Sequence, residues 1–370
     1  MPSYRLRFAW LTGRSLMWEA AKPQRRLDDL ISRLGVSGGR LAVFHQGGIG
    51  SGIMMGPLLQ VLRRQWPRAS IDLLSQQPQD GDVLKSVGLI DRRHVVSAVR
   101  GYDGGRFDAV LSASRTYHGD RIVRSLPATV KIGFRHRVGW HASSRLFHDE
   151  AVTIDSSLHE CEQDVRLIEP LLGVGPMPAA PPTLFGLTAS RKTHSKPRIF
   201  VHAGSSAGMS WKRWSPEKFA QVILQLRERI DADVTMVSGP DERECAAEII
   251  GLLPQAVDLF APDSIVALFE ALRDVDCAIS NDGAFMHLAC AAGANAVAIF
   301  GGTDPAFCGP WAEPRHVRVV RADLSCSPCY QPYSGALHCT NPNRLQCLSD
   351  VTPALVMNAV GELLGSSIAA

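Results

Sequence analysis

Residues 43–52 read "VFHQGGIGSG" and residues 200–208 read "FVHAGSSAG". Each is the end of an apolar run, then a histidine, then a turn of small residues. A parallel strand feeding a tight glycine turn and a helix opens a doubly wound α/β unit, so two such openings predict two similar units. Outward from the first, strand-like runs fall at Leu41–His45, Ile71–Ser75, Asp108–Ser112 and Val130–Phe134, with room for crossover helices between them. Outward from the second they fall at Arg198–His202, Asp233–Ser238, Asp276–Ser280 and Ala296–Phe300. The proline-rich stretch "GVGPMPAAPPTLFG", Gly173 to Gly186, separates the two series and reads as a linker. In the second series Ser215 is the expected N-cap of a helix whose apolar face is Phe219, Val222, Ile223 and Leu226.

The resulting expectation is a basic arm at 1–35, a first Rossmann-like domain at 36–185, a second at 186–350, and a C-terminal helix and tail at 351–370. Two domains suit a chain of 370 residues. Ligands in open α/β sheets bind beyond the carboxyl ends of the strands, so the chemistry belongs in the loops that face the cleft between the domains.

With 45% hydrophobic and 20% charged residues and a net charge of +3, the chain is an ordinary globular protein with no nucleic-acid signature. The longest apolar candidate, Leu288–Phe300, is too short and too interrupted for a membrane span. Nine cysteines without an export signal point to a reducing compartment, and the cytoplasm is the expected location. Residues 1–35 hold seven Lys/Arg and three Asp/Glu. With Trp10, Leu11, Met17 and Trp18 they fit either peripheral contact with anionic lipid on the inner membrane or a solvated helix docked on the first domain.

Three loops of the second half carry the binding chemistry. Ala203 to Ser206, followed by Lys212 and Arg213, offers backbone amides, hydroxyls and positive charge to an anion such as a diphosphate. Asp241 or Glu242, after the next strand, can accept from ribose hydroxyls, or Asp241 can cap the following helix. In "SNDGAFMHLACAAGANAVAIFGGTDP", Ser280 to Pro305, a tight Asn-Asp-Gly turn starts a helix whose positive end points at the cleft, with His287 one turn in.

These three segments together resemble glycosyltransferase family 9, the ADP-heptose:lipopolysaccharide heptosyltransferases. The first half agrees through "GGIGSGIMMGPLLQVLRRQWPRASIDLL" and "LHECEQDVRLIEPLLGV", and the resemblance runs over about residues 41–360. It implies a GT-B architecture, with two Rossmann-like domains facing a central cleft, acceptor on the first and nucleotide-sugar on the second. By the same resemblance Ser205, Ser206 and Lys212 hold the donor diphosphate and Asp241 or Glu242 lies by the ribose. Asp282 lies by the sugar, the Gly283 and Ala284 amides by phosphate, and His287 nearby. The family's usual Asn-Asp-Ser-Gly-Pro-Met-His is here Asn281-Asp282-Gly283-Ala284-Phe285-Met286-His287, which removes a hydroxyl and adds bulk.

The implied reaction is inverting transfer of heptose from ADP-heptose to a saccharide or lipid-linked saccharide such as the lipopolysaccharide core, with no cofactor needed for the transfer itself. The family's opening loop reads Gly-Asp-Ile-Gly-Asp and its second aspartate is the expected base. Here the positions are Gly47-Gly48-Ile49-Gly50-Ser51. A serine hydroxyl does not take a proton as a carboxylate does, so Ser51 positions the acceptor or relays a proton. Asp120, in "SRTYHGDR" with Arg115 and His118, is the candidate replacement, and His45 stands just before the glycine loop. The altered loop keeps two alternatives open: transfer to a protein or small molecule with a non-standard base, and a non-catalytic nucleotide-sugar-binding homologue.

Cys326, Cys329, Cys339 and Cys347 form C-x2-C-x9-C-x7-C, a spacing that allows a tetrahedral thiolate site for structural zinc or iron, or four reduced thiols. The autotransporter heptosyltransferases of the resembling family bind iron through similar cysteines.

Overall fold

The computed structural model describes residues 21–76, 78–97, 102–135, 147–172, 177–187, 194–331 and 336–365. The first sheet holds β1 (Arg40–Phe44), β2 (Ser70–Ser75), β3 (Arg92–Val95), β4 (Phe107–Ser112), β5 (Ala128–Arg135) and β6 (Glu150–Thr153) in the order β3-β2-β1-β4-β5-β6. The second holds β7 (Arg198–His202), β8 (Asp233–Val237), β9 (Asp258–Phe260), β10 (Cys277–Asn281), β11 (Asn295–Ile299) and β12 (Val317–Val320) in the order β12-β11-β10-β7-β8-β9. Every pairing in both is parallel. Counted from its own first strand, each sheet has one order, 3-2-1-4-5-6, the doubly wound arrangement. The two similar sequence openings are the ends of β1 and β7, the strands beside each reversal of order.

The central strands form because both faces are covered. Leu41, Ala42, Val43 and Phe44 are all buried, as are Ile199, Phe200 and Val201. The edge strands β3, β6, β9 and β12 were not among the expected runs. β3 is RRHV with three of four residues exposed, so it carries no apolar pattern to read.

One apolar cluster crosses from the first domain into the second, joining Ile53, Leu58, Leu184 and Phe185 to Phe269, Phe285, Leu288 and Ala292. Gly50 of the first loop meets the second domain directly: a Cβ there would lie 3.2 Å from His287 Cδ2 and 3.3 Å from Ala284 Cα. Glycine suits this position by close approach, not by a special φ, since a methyl would press on both neighbours. A separate cluster fills the far side of the second domain, where Val356, Met357, Val360 and Leu363 of the helix Pro353–Leu364 cover the sheet.

Of the proline-rich stretch, residues 177–186 pack on the first domain, with Gln60 Nε2 donating to the carbonyls of Thr183 and Leu184 at 2.8 and 2.9 Å. Residues 173–176 lie outside the described residues. So do 1–20 and with them Trp10, Leu11, Met17 and Trp18 of the basic arm, as well as the tail 366–370. What is described of the arm is a helix, Ala21–Val36, that buries Leu27, Leu30 and Leu34 in the shared apolar cluster. Ser215 does precede the helix Pro216–Ile230, but its hydroxyl bonds Glu217 instead of a backbone amide. Among the described residues no helix is long and apolar enough to cross a membrane.

Candidate functional site

In the second domain the loops after β7 and β10 are tied together by Asn281. Its Oδ1 accepts from the Trp214 amide at 3.0 Å and its Nδ2 donates to the Ala203 carbonyl at 2.8 Å. Asn281 is buried and fully used, which explains why the turn needs asparagine. Its neighbour Asp282, 4% exposed, receives Lys212 Nζ at 2.7 Å and Thr303 Oγ1 at 2.6 Å on one carboxylate oxygen. Lys212 also lies 5.6 Å from the Trp211 ring and 5.8 Å from the Tyr330 ring, so its ammonium is held between a carboxylate and two aromatic faces. Thr303 carries no motif signal of its own beyond following a strand.

His287 is buried 4% exposed, and its Nδ1 has no hydrogen-bond partner among the described residues. Burial pushes its pKa down to about 4, with Lys212 and His159 adding to the shift and Asp282 opposing it. The ring is therefore neutral near pH 7 and offers a hydrogen bond, not a charge.

Ser205 and Ser206 separate in role. Ser205 is buried, donating to the Met209 carbonyl at 3.0 Å and accepting Arg213 Nε at 3.0 Å, so it braces the loop. Ser206 is exposed. Asp241 and Glu242 separate as well. Asp241 is exposed, whereas Glu242 turns inward over Gly204, where a Cβ would lie 2.6 Å from Glu242 Oε2. His202 Nε2 meets Glu242 Oε2 at 2.7 Å. Burial alone would raise the Glu242 pKa, but His202 and the Gly239 amide outweigh it and hold it below the usual value. The His202 ring in turn stacks on Phe285 at 4.7 Å, so the bulky residue in the Asn-Asp-Gly-Ala-Phe segment is a backstop for the pair. The Gly283 and Ala284 amides open the helix Ala284–Ala292 beside Asp282.

The first domain faces this wall with the glycine loop. Ser51 sits in the short helix Ile49–Met54, and His45 pairs with Asp80 beneath it at 2.5 Å, both enclosed. Asp120 stands in the first turn of the helix Tyr117–Ser125, 1% exposed, with His148 Nε2 3.6 Å from its Oδ1. Arg115 does not accompany Asp120. It bonds Asp164 at 2.7 Å and Glu160 at 3.1 Å, with its guanidinium 4.7 Å from the Phe134 ring. Asp164 is fully buried and burial raises its pKa to about 7, against the pull of Arg115.

Next to Glu160, His159 bridges the domains: its Nε2 lies 3.2 Å from the Gly309 carbonyl and its ring 4.5 Å from that of Trp311. Burial depresses the His159 pKa to about 4, only partly offset by that carbonyl. The segment "LHECEQDV", which carries part of the family resemblance, also brings a carboxylate to the seam, a role that its sequence does not announce. Its legible signal was the capping box, in which His159 accepts from the helix and Glu162 accepts from the His159 amide at 3.0 Å.

Cys329 and Cys347 lie at the end of β11. A Cβ on Gly302 would lie 3.2 Å from Cys329 Sγ and one on Gly301 3.3 Å from Cys347 Sγ. Burial raises the thiol pKa of both, and the charges of Cys326 and Cys339 raise each further. Yet among the described residues no group of three or more His, Cys, Asp or Glu is arranged to hold a metal ion.

Residues 95–337 match the family model described as glycosyltransferase family 9 (heptosyltransferase). Lipooligosaccharide heptosyltransferase 2 of Campylobacter jejuni subsp. jejuni serotype O:2 is 29% identical over 178 residues, 47% of this chain and 53% of that protein. The chain thus spans about half the length of that relative. The structure of a family 9 glycosyl transferase from Veillonella parvula superposes with a TM-score of 0.68 at 20% identity, covering 90% of this chain and 99% of the other. That of the dodecameric iron-containing heptosyltransferase TibC, in complex with ADP-D-beta-D-heptose, superposes at 0.54 and 15% identity, covering 89% and 77%.

Proposed function

The chain belongs to glycosyltransferase family 9, whose model matches well over half of it, and from that premise we propose that it transfers heptose from ADP-heptose, with inversion, to a cell-envelope saccharide such as the lipopolysaccharide core. The observation that carries this reading is the cluster of Lys212, Asp282 and Thr303 with the unpartnered His287 Nδ1, set where strand order reverses and facing the first-domain glycine loop. A nucleoside diphosphate leaving group develops negative charge as its bond to the anomeric carbon breaks. Lys212, the exposed Ser206 hydroxyl and the Gly283 and Ala284 amides stabilise that charge. The braced Ser205 shapes the loop. Glu242, already oriented by His202, accepts from the ribose, and Asp241 stands outside that contact.

On the acceptor side Ser51 positions the incoming hydroxyl, and a first-domain carboxylate removes its proton. Asp120 is the candidate from the sequence, and Asp120→Asn tests it: lost transfer with donor binding spared would make it the base, and unchanged turnover removes it from the mechanism. The same reading places the enzyme in the cytoplasm, with peripheral contact at the inner membrane as one role for its basic arm.

We assign Cys326, Cys329, Cys339 and Cys347 to a structural zinc or iron. The place of Cys329 and Cys347 beside the Gly301–Gly302 turn supports this, as does the iron named for TibC, and the metal would have to draw the four thiols together. The metal would staple the loop after β12 to the end of β11, away from the reacting atoms. Metal analysis of protein purified without chelator is expected to give one metal per chain, reduced by Cys329→Ser.

The deciding experiment is a binding screen of ADP-, GDP-, UDP- and dTDP-sugars followed by product analysis on heptose-deficient lipopolysaccharide. ADP-heptose is expected to bind and transfer. Strong binding of a UDP-sugar with none of ADP-heptose sinks the donor assignment, and binding without transfer to any acceptor favours a non-catalytic homologue.

A further inference from the structure

We propose that Glu160 is the general base of this chain, taking the proton of the acceptor hydroxyl that the serine-bearing first loop has no carboxylate to accept. The inference rests on the transferase reading above and names the base within it.

Among the described residues, burial sets Glu160 apart from three other first-domain carboxylates. Asp80 is closed off by His45, Asp164 by Arg115, and Asp120 is 1% exposed against His148. The Glu160 side chain retains 15% of its surface, so an acceptor oxygen can reach it without unpacking the domain. A base needs direct or one-water contact with the hydroxyl it serves.

Position agrees with access. The residue before it, His159, is in contact with Gly309 and Trp311 of the second domain. Gly309 caps the short helix Pro305–Cys308, which starts two residues after Thr303, and Thr303 bonds Asp282 at 2.6 Å. Glu160 therefore stands at the seam, beside the second-domain loop that begins with the Asp282 partner Thr303.

Orientation agrees as well. Arg115 Nη1 holds Glu160 Oε1 at 3.1 Å and is itself fixed by the Ala113 carbonyl at 3.2 Å and by Asp164. Glu160 Oε2 has no hydrogen-bond partner among the described residues. One oxygen is pinned and the other is left for a ligand, which makes Arg115 a positioning residue. In the step the acceptor oxygen bonds to the anomeric carbon and the carbon–phosphate oxygen bond breaks. The nucleoside diphosphate leaves with that electron pair, and the acceptor proton passes to Glu160 and then to water.

The test compares wild type, Glu160→Gln, Glu160→Asp and Asp120→Asn for transfer from ADP-heptose to heptose-deficient lipopolysaccharide, with donor affinity measured by calorimetry. E160Q is expected to lose about 10²–10⁴-fold in kcat with donor affinity within about threefold of wild type. E160D, which keeps the carboxylate, is expected to recover about tenfold or more over E160Q. The proposal is overturned if E160Q keeps over a tenth of wild-type kcat, if it loses donor affinity along with turnover, if E160D is no better, or if the loss falls on D120N alone. A wild type that transfers nothing overturns the transferase reading itself, and the base assignment with it.

Discussion

Acid should loosen the seam between the domains, and two histidines set the size of the effect. His159 and His287 both have pKa values near 4, lowered from 6.5 mainly by burial. A base whose folded pKa is depressed is protonated more readily in the unfolded chain, so its contribution is fully present above pH 6.5. It is lost progressively as pH falls from there toward 4. At pH 5.5 each histidine removes about 1 kcal/mol relative to pH 7.5, and at pH 4 about 3 kcal/mol. Asp164 runs the other way. Its folded pKa of about 7, against 3.8 for an unperturbed side chain, favours the folded state as pH falls below 7. Wild-type stability between pH 7.5 and 5.5 is therefore flatter than either group alone would give, and a comparison of variants is needed. Urea unfolding at both pH values is the assay, run on wild type and on His159→Gln/His287→Gln. The double variant should gain about 2 kcal/mol at pH 5.5, relative to its own value at pH 7.5, over the change seen in wild type. A difference below about 0.5 kcal/mol between the two pH responses would refute the claim that these imidazoles are buried neutral.

Lys212→Met keeps the length of the stem and removes the charge, and should weaken ADP binding by about 1.5–3 kcal/mol; calorimetry showing an unchanged affinity would detach Lys212 from the diphosphate. Glu242→Gln should reduce discrimination between ADP and its 2′- or 3′-deoxy analogues, because the ribose acceptor loses its charge; equal discrimination in both proteins would place the ribose elsewhere. Gly52→Ala places a methyl 2.6 Å from the Asp80 Cγ. It should cost about 1–3 kcal/mol of stability through overpacking, and a melting temperature equal to wild type would contradict the close approach.

What could be read from the sequence followed from burial. Central strands such as Val43–Phe44 and Ile199–Val201 are apolar because both faces are covered, and the glycine turns after β1 and β7 mark where the sheet order reverses. The edge strands were invisible for the converse reason: β3 leaves most of its residues in water and so needs no pattern. The site was half legible. Small residues, Lys212 and the Asn-Asp-Gly turn could be singled out as candidates because backbone geometry constrains residue type there. The pairs that give those residues their chemistry were not legible, since Lys212 and Asp282, or Arg115 and Glu160, are brought together only by the crossover of whole units. Asp120 illustrates the gap. It has the right residue type on the right loop, and sequence says nothing of its enclosure by His148, which follows from packing between β5 and the segment before β6. Gly133 of β5 has no side chain where His148 lies, so that histidine reaches Asp120 through a space only glycine leaves. The same logic places Gly50 against His287 and Gly52 against Asp80. At Gly52 and Gly133 a polar side chain occupies the volume a methyl would take, and at Gly50 one presses close to it, so each bears on how an acid or imidazole is set.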